Sequence, residues 1–119
     1  YLDIDFVLKK TEPVCQHISQ EFKYENLFIL GKGISEAIAK EGSLKIKEIS
    51  YIHTESYSAS SLKHGPFALL DAHLPVIIIN SEEEHDDKIT SCYQEIKARD
   101  SPQILKTLFL FQILYRFLF

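Results

Sequence analysis

The sequence predicts an α/β domain with a parallel sheet flanked by helices, and three observations carry that expectation. Leu27-Phe28-Ile29-Leu30 and Val76-Ile77-Ile78-Ile79 are apolar throughout instead of alternating, the pattern of strands covered on both faces. A turn and then a stretch with helical apolar spacing follow each run. Strand and helix repeated in this order call for a parallel sheet with right-handed crossovers.

Phe6, Val7, Val14, Ile18 and Phe22 recur at roughly helical spacing, so a helix is expected over 4–22, with Pro13 interrupting it or starting its second part. The first strand ends at Gly31-Lys32-Gly33, and Ser35 is expected to cap a helix running to about Tyr51. His53 to Ala59 reads as a short strand or a loop, and Leu62 to Leu70 as a turn with a short helix. Pro75 introduces the second strand. The acidic turn Ser81 to Asp87 opens a helix over about 86–99, its charges complementing the helix dipole. Ile89, Cys92, Tyr93 and Ile96 share one side of that helix. Beyond Pro102 an apolar helix is expected over 103–119, buried or facing a partner. Two firm strands and one doubtful one are few for a free-standing α/β domain.

The 119 residues amount to one domain, and 45% hydrophobic with 25% charged residues excludes a disordered chain. Lys and Arg number 13 against 17 Asp and Glu, a net charge of −4, so no basic surface points to nucleic acid. In the apolar tail Lys106, Gln112 and Arg116 keep every run short of the ~20 residues a membrane span needs. Asp3 and Asp5 stand where a signal peptide would be basic, and a cytoplasmic location is expected. Cys15 and Cys92 make no disulfide framework and suit a reducing compartment. The histidines lack companions at metal-ligand spacing, so neither metal nor cofactor is expected.

The unusual side chains concentrate between Gly31 and Gly65, the window that holds every glycine. On the wheel of 34–51, Glu36, Lys40, Ser43, Lys47 and Ser50 make a solvated face. Ile34, Ala37, Ile38, Leu44, Ile46 and Ile49 make a broad apolar arc. Glu41, Lys45 and Glu48 fall inside that arc, stacked at i, i+4 and i+7. They form either an ion-pair ladder at a helix edge or a group facing a cleft or a subunit interface. A lysine between two carboxylates poises each group's protonation through its neighbours, as proton-transfer chemistry requires. Gly31-Lys32-Gly33 is either a tight turn or a place where backbone N–H groups approach an anion. In Lys63-His64-Gly65-Pro66, Gly-Pro fixes a turn directly after the histidine. His64 then projects from a rigid corner, as a structural residue or as a proton shuttle near neutral pH.

Four stretches together resemble a known family: Leu27 to Gly33, Glu41-Gly-Ser-Leu-Lys-Ile-Lys-Glu-Ile-Ser-Tyr-Ile-His53, Leu62-Lys-His-Gly-Pro-Phe-Ala-Leu-Leu-Asp71, and Pro75 to Ile79. In order and nearly without gaps to about Arg99, they resemble the second of two sugar isomerase (SIS) subdomains in the glutamine–fructose-6-phosphate aminotransferases. The resemblance implies an SIS-type, flavodoxin-like fold and a part in making glucosamine 6-phosphate from fructose 6-phosphate and glutamine-derived ammonia. It implies that Glu48 transfers a proton between the sugar's C1 and C2, and that Lys45 acts at O1 with Glu41 nearby. It implies that His64 assists ring opening and reaches the site of a neighbouring subunit. The partners implied are a sugar phosphate and either a second copy or a companion SIS subdomain.

The sequence departs from the family in three places. Ser60-Ser61 replace the usual Gly-Glu, and the strand expected after Arg99 is missing, which would leave the sheet shortened at its C-terminal end. The 119 residues also hold no counterpart of the glutaminase domain, the first subdomain's phosphate-binding serines, or the lysine that forms an imine with the sugar. This stretch alone is therefore expected not to make glucosamine 6-phosphate. A non-catalytic SIS module that binds a sugar phosphate or a partner subunit is the alternative reading.

Overall fold

The computed structural model describes residues 4–107 of the chain. Helix α1 (Ile4–Glu21) is continuous, with Pro13 inside it. Then come β1 (Asn26–Gly31), α2 (Ile34–Ser50), β2 (His53–Ser58), a 3-10 turn (Pro66–Leu69), β3 (Val76–Asn80), α3 (Asp86–Lys97) and β4 (Gln103–Thr107). The strands pair in the order β2-β1-β3-β4 and all are parallel. This is the first part of a flavodoxin-like strand order, with the reversal of direction between β1 and β3.

The unbroken apolar runs have the cause that the parallel-sheet expectation assigns them. Phe28 and Leu30 of β1 join Val76 and Ile78 of β3 on one face, under Ile89, Cys92 and Ile96 of α3 and Leu62 and Leu70 of the turn region. Leu27, Ile29 and Ile79 point the other way, against Ala39, Ile38 and Ile46 of α2. Successive side chains alternate between faces, and both faces are covered, so no polar position is left in either strand's interior. The two crossovers run in opposite directions from the centre of the sheet, which places α2 and α3 on opposite faces.

Several expectations need correction. The segment after Pro102 starts as strand β4, pairing with β3 from Val76↔Gln103 to Asn80↔Thr107, so the sheet is not short of that strand. Hydropathy alone does not separate a buried strand from a buried helix in so short a run. The rest of the helix expected over 103–119 lies outside the described residues. His53–Ser58 resolves as a strand: β1 lends its other edge to it in register, from Asn26↔His53 to Gly31↔Ser58. Gly33, not Ser35, precedes the first turn of α2. Ser35 is buried within the helix, and its hydroxyl lies 2.7 Å from that of Ser81.

The approach of α2 to β1 depends on Gly31. A Cβ at this position would stand 2.2 Å from the carbonyl oxygen of Ser35 and 2.8 Å from the nitrogen of Glu36. No side chain fits between strand end and helix start, and the next strand connection, Ala59 N–H to Gly31 O at 2.8 Å, is set by the same residue.

Candidate active site

Helix α2 meets the sheet through small residues: Ser35, Ala39, Gly42 and Ser43 are its buried positions. Ser43, expected in solvent, donates its hydroxyl to the carbonyl of Thr54 at 2.8 Å. A serine that finds a carbonyl partner is as acceptable in the interior as an apolar residue. The apolar arc divides: Ile38 and Ile46 pack against the sheet, while three of its large side chains turn outward. Ile34 is 66% exposed, Leu44 44% and Ile49 46%.

Glu41, Lys45 and Glu48 therefore ride on the side of α2 turned away from the sheet, next to Ile34 and Leu44. Lys45 Nζ lies 3.2 Å from Glu48 Oε2 and 3.7 Å from Glu41 Oε1. The lysine is the most sheltered of the three, 24% exposed against 55% for Glu41 and 53% for Glu48. Its hydrogen bond to Glu48, followed by that carboxylate's charge, raises the Lys45 pKa above the usual lysine range. The shift favours the ammonium form of Lys45, which donates to the Glu48 carboxylate.

His64 stands on the turn that links β2 to the 3-10 turn at Pro66–Leu69. Its N–H donates to Ser61 O at 3.0 Å, and its side chain is exposed. Leu62 is fully buried just before it, and Gly65 just after it has φ 133°, a value that a side chain would strain. The corner expected from Gly-Pro is present. Among the described residues no hydrogen bond or ion pair links His64 to Glu41, Lys45 or Glu48. The structure groups the three helix residues and leaves the histidine on a turn of its own.

Beside Gly31-Lys32-Gly33, weighed as a turn or an anion contact, stands an acidic side chain of the protein itself. Glu82, from the loop after β3, accepts the Ile34 N–H at 3.0 Å, and His85 Nε2 lies 3.6 Å from the same carboxylate oxygen. The start of α2 therefore already has a negative charge against its dipole. The acidic turn was expected to open α3; Asp86 and Asp87 stand in its first turn, while Glu82 serves α2. Lys32 reaches Ser60 Oγ at 2.7 Å, so one of the two serines that depart from the family pattern ties the β1–α2 turn to the loop before His64.

Glu95 and Arg99 escaped the sequence reading. Glu95 pairs with Lys63 at 2.8 Å, and its hydrogen bond raises the pKa of that lysine. Arg99 donates to Ala68 O at 3.4 Å and stacks over the Phe67 ring, 5.3 Å from its centroid. Partners this far apart in sequence leave no periodic signal. No metal-ligating group of three or more His, Cys, Asp or Glu is gathered among the described residues. No described helix is long and apolar enough to cross a membrane.

Comparison with known proteins agrees with this architecture. The SIS domain model matches residues 22–116. The glutamine–fructose-6-phosphate aminotransferase of Nostoc sp. (strain PCC 9229) is 49% identical over 100 residues, which span 83% of this chain and 16% of that protein. A probable enzyme of the same name from Acanthamoeba polyphaga mimivirus is 52% identical over 80 residues, 67% of this chain and 13% of its own length. The chain thus spans about a sixth or less of the curated relatives it matches. The solved C-terminal domain of glucosamine-fructose-6-phosphate aminotransferase from Francisella tularensis superposes with a TM-score of 0.79 at 42% identity, over 84% of this chain and 28% of that one. Glucosamine-6-phosphate deaminase from Thermotoga maritima, at 19% identity and a TM-score of 0.72 over 93% of this chain and 41% of its own, shares the fold. With a doubly covered parallel sheet, the family model over most of its length and relatives near half identity, this chain belongs to the SIS domain family and is homologous to the SIS region of the glutamine–fructose-6-phosphate aminotransferases.

Proposed function

We propose that this chain is the second SIS subdomain in the isomerase half of an amidotransferase, cytoplasmic and acting on fructose 6-phosphate with glutamine-derived ammonia to give glucosamine 6-phosphate. The observation that carries the reading is the Glu41–Lys45–Glu48 group, held together on a helix face that no other described element packs against. In this reading Glu48 takes a proton from one of the sugar's C1 and C2 and returns it to the other, ending the cycle as it began. Lys45, kept an ammonium by Glu48, donates to O1 and offsets charge that builds there. Glu41 holds Lys45 from the other side, and His64 serves the opening of the sugar ring. The exposed Ile34 and Leu44 beside the charged group support a covering partner, either a companion SIS subdomain or a second copy, that would shelter the chemistry from water.

The test is Glu48→Gln in a full-length glutamine–fructose-6-phosphate aminotransferase carrying this segment. Glucosamine 6-phosphate formation should fall by ~10²–10⁴-fold, the range for loss of a general acid–base group, with glutamine hydrolysis spared. Unchanged formation would make Glu48 a plain ion-pair member and end the reading.

A further inference from the structure

We propose that Glu95 of α3 and Arg99, in the turn just after that helix, are positioning residues for His64, holding its turn from both sides; the proposal rests on the role given to His64 above. The side chain of His64 has no partner among the described residues, so its direction is set by the backbone of the turn alone. That backbone is anchored underneath, where Leu62 and Leu70 are buried with Cys92 and Ile96 of α3. Anchoring from below fixes the height of a turn better than its tilt.

The tilt is what the end of α3 and the turn after it control. Glu95 lies in the last turn of α3, and Arg99 lies in the turn that follows the helix, its N–H bonded to Ile96 O at 3.0 Å. Glu95 grips Lys63, the residue before His64, at 2.8 Å. Arg99 grips the other side, through the Ala68 carbonyl at 3.4 Å and the face of Phe67. Backbone bonds from Phe67 N–H to Leu62 O at 2.9 Å and from Ala68 N–H to Gly65 O at 3.0 Å close the loop between the two grips. Lys63 is 65% exposed, so its ion pair contributes little stability by itself. Its effect is on geometry: a reacting group works when held within ~0.5 Å of its productive place.

The experiment uses a full-length glutamine–fructose-6-phosphate aminotransferase carrying this segment, with fructose 6-phosphate as substrate. Glu95→Ala and Arg99→Ala should each lower kcat on the order of tenfold while KM changes less than about twofold. Thr90→Ala, an exposed position elsewhere on α3, should change neither. Amide hydrogen exchange in peptides covering 61–70 should run about tenfold faster in both clamp variants. In a His64→Asn background Glu95→Ala should lower kcat no further, because the residue it positions is gone. The proposal is overturned if Glu95→Ala leaves kcat and exchange unchanged, or lowers kcat by the same factor with and without His64. If His64→Asn itself leaves kcat unchanged, the role of His64 falls and the proposal with it, an outcome told apart because the exchange rates then still report an intact clamp.

Discussion

Replacing Gly31 by alanine is expected to destabilise this chain far more than one added methyl group suggests. The new Cβ would meet backbone on every near side: Ser35 O at 2.2 Å, Ser35 C at 2.4 Å and Glu36 N at 2.8 Å. No flexible side chain can yield, so the first turn of α2 must retreat by about 1 Å to restore ordinary van der Waals contact. Overpacking of this kind costs about 1–3 kcal/mol. The retreat also stretches the Ile34 N–H bond to Glu82 and the Ser35–Ser81 hydroxyl contact, at 3.0 and 2.7 Å. Losing one of these adds about 1 kcal/mol. A total near 3 kcal/mol corresponds to a fall of at least ~10 °C in Tm for a domain of this size. Urea denaturation followed by circular dichroism, with a thermal melt beside it, measures the loss. A loss below about 0.5 kcal/mol, the level of an ordinary surface substitution, would show that strand and helix do not approach this closely.

Two further predictions concern titratable groups. The Tyr57 hydroxyl donates to Glu55, and this bond, with burial and the carboxylate's charge adding to it, pushes its pKa up to about 12 from an ordinary 10.0. The folded state therefore holds that proton more tightly than the unfolded one, so the stabilisation is complete below pH 10.0 and lost as pH rises through about 12. Urea denaturation at stepped alkaline pH should show a shallower loss of stability in Tyr57→Phe; equal slopes in both proteins would refute the contact. Cys92 is raised to about 11, first by burial and then by the Glu95 carboxylate, with Lys63 opposing. At about pH 8 a thiol reagent should leave Cys92 unmodified in the native chain and modify it readily in urea, as peptide mass spectrometry would report; rapid native labelling would mean that α3 does not pack as described.

The two central strands were legible because a parallel sheet with both faces covered writes an unbroken apolar run into the sequence, and β1 and β3 are such runs. The charged group on α2 was legible as well, since residues three and four apart on a helix must be neighbours whatever the rest of the chain does. The orientation of that helix was not. Periodicity put Ile34, Leu44 and Ile49 in one apolar arc with Ile38 and Ile46, and Ser43 in solvent; packing split the arc and buried the serine, because close contact with the sheet selects small residues and a hydroxyl with a carbonyl in reach.

Local chemistry, then, is what the sequence alone determined here: strands from covered apolar runs, a rigid corner from Gly65-Pro66, a lysine between two carboxylates from helical spacing. Each rests on interactions within a few residues. Tertiary structure decided everything that depends on contacts between distant segments. It made a strand of Gln103–Thr107 by giving it β3 to pair with, turned Glu82 toward α2 in place of α3, and brought Glu95 and Arg99 to either side of the His64 turn. Such partners have no fixed spacing, and only the folded chain puts them together.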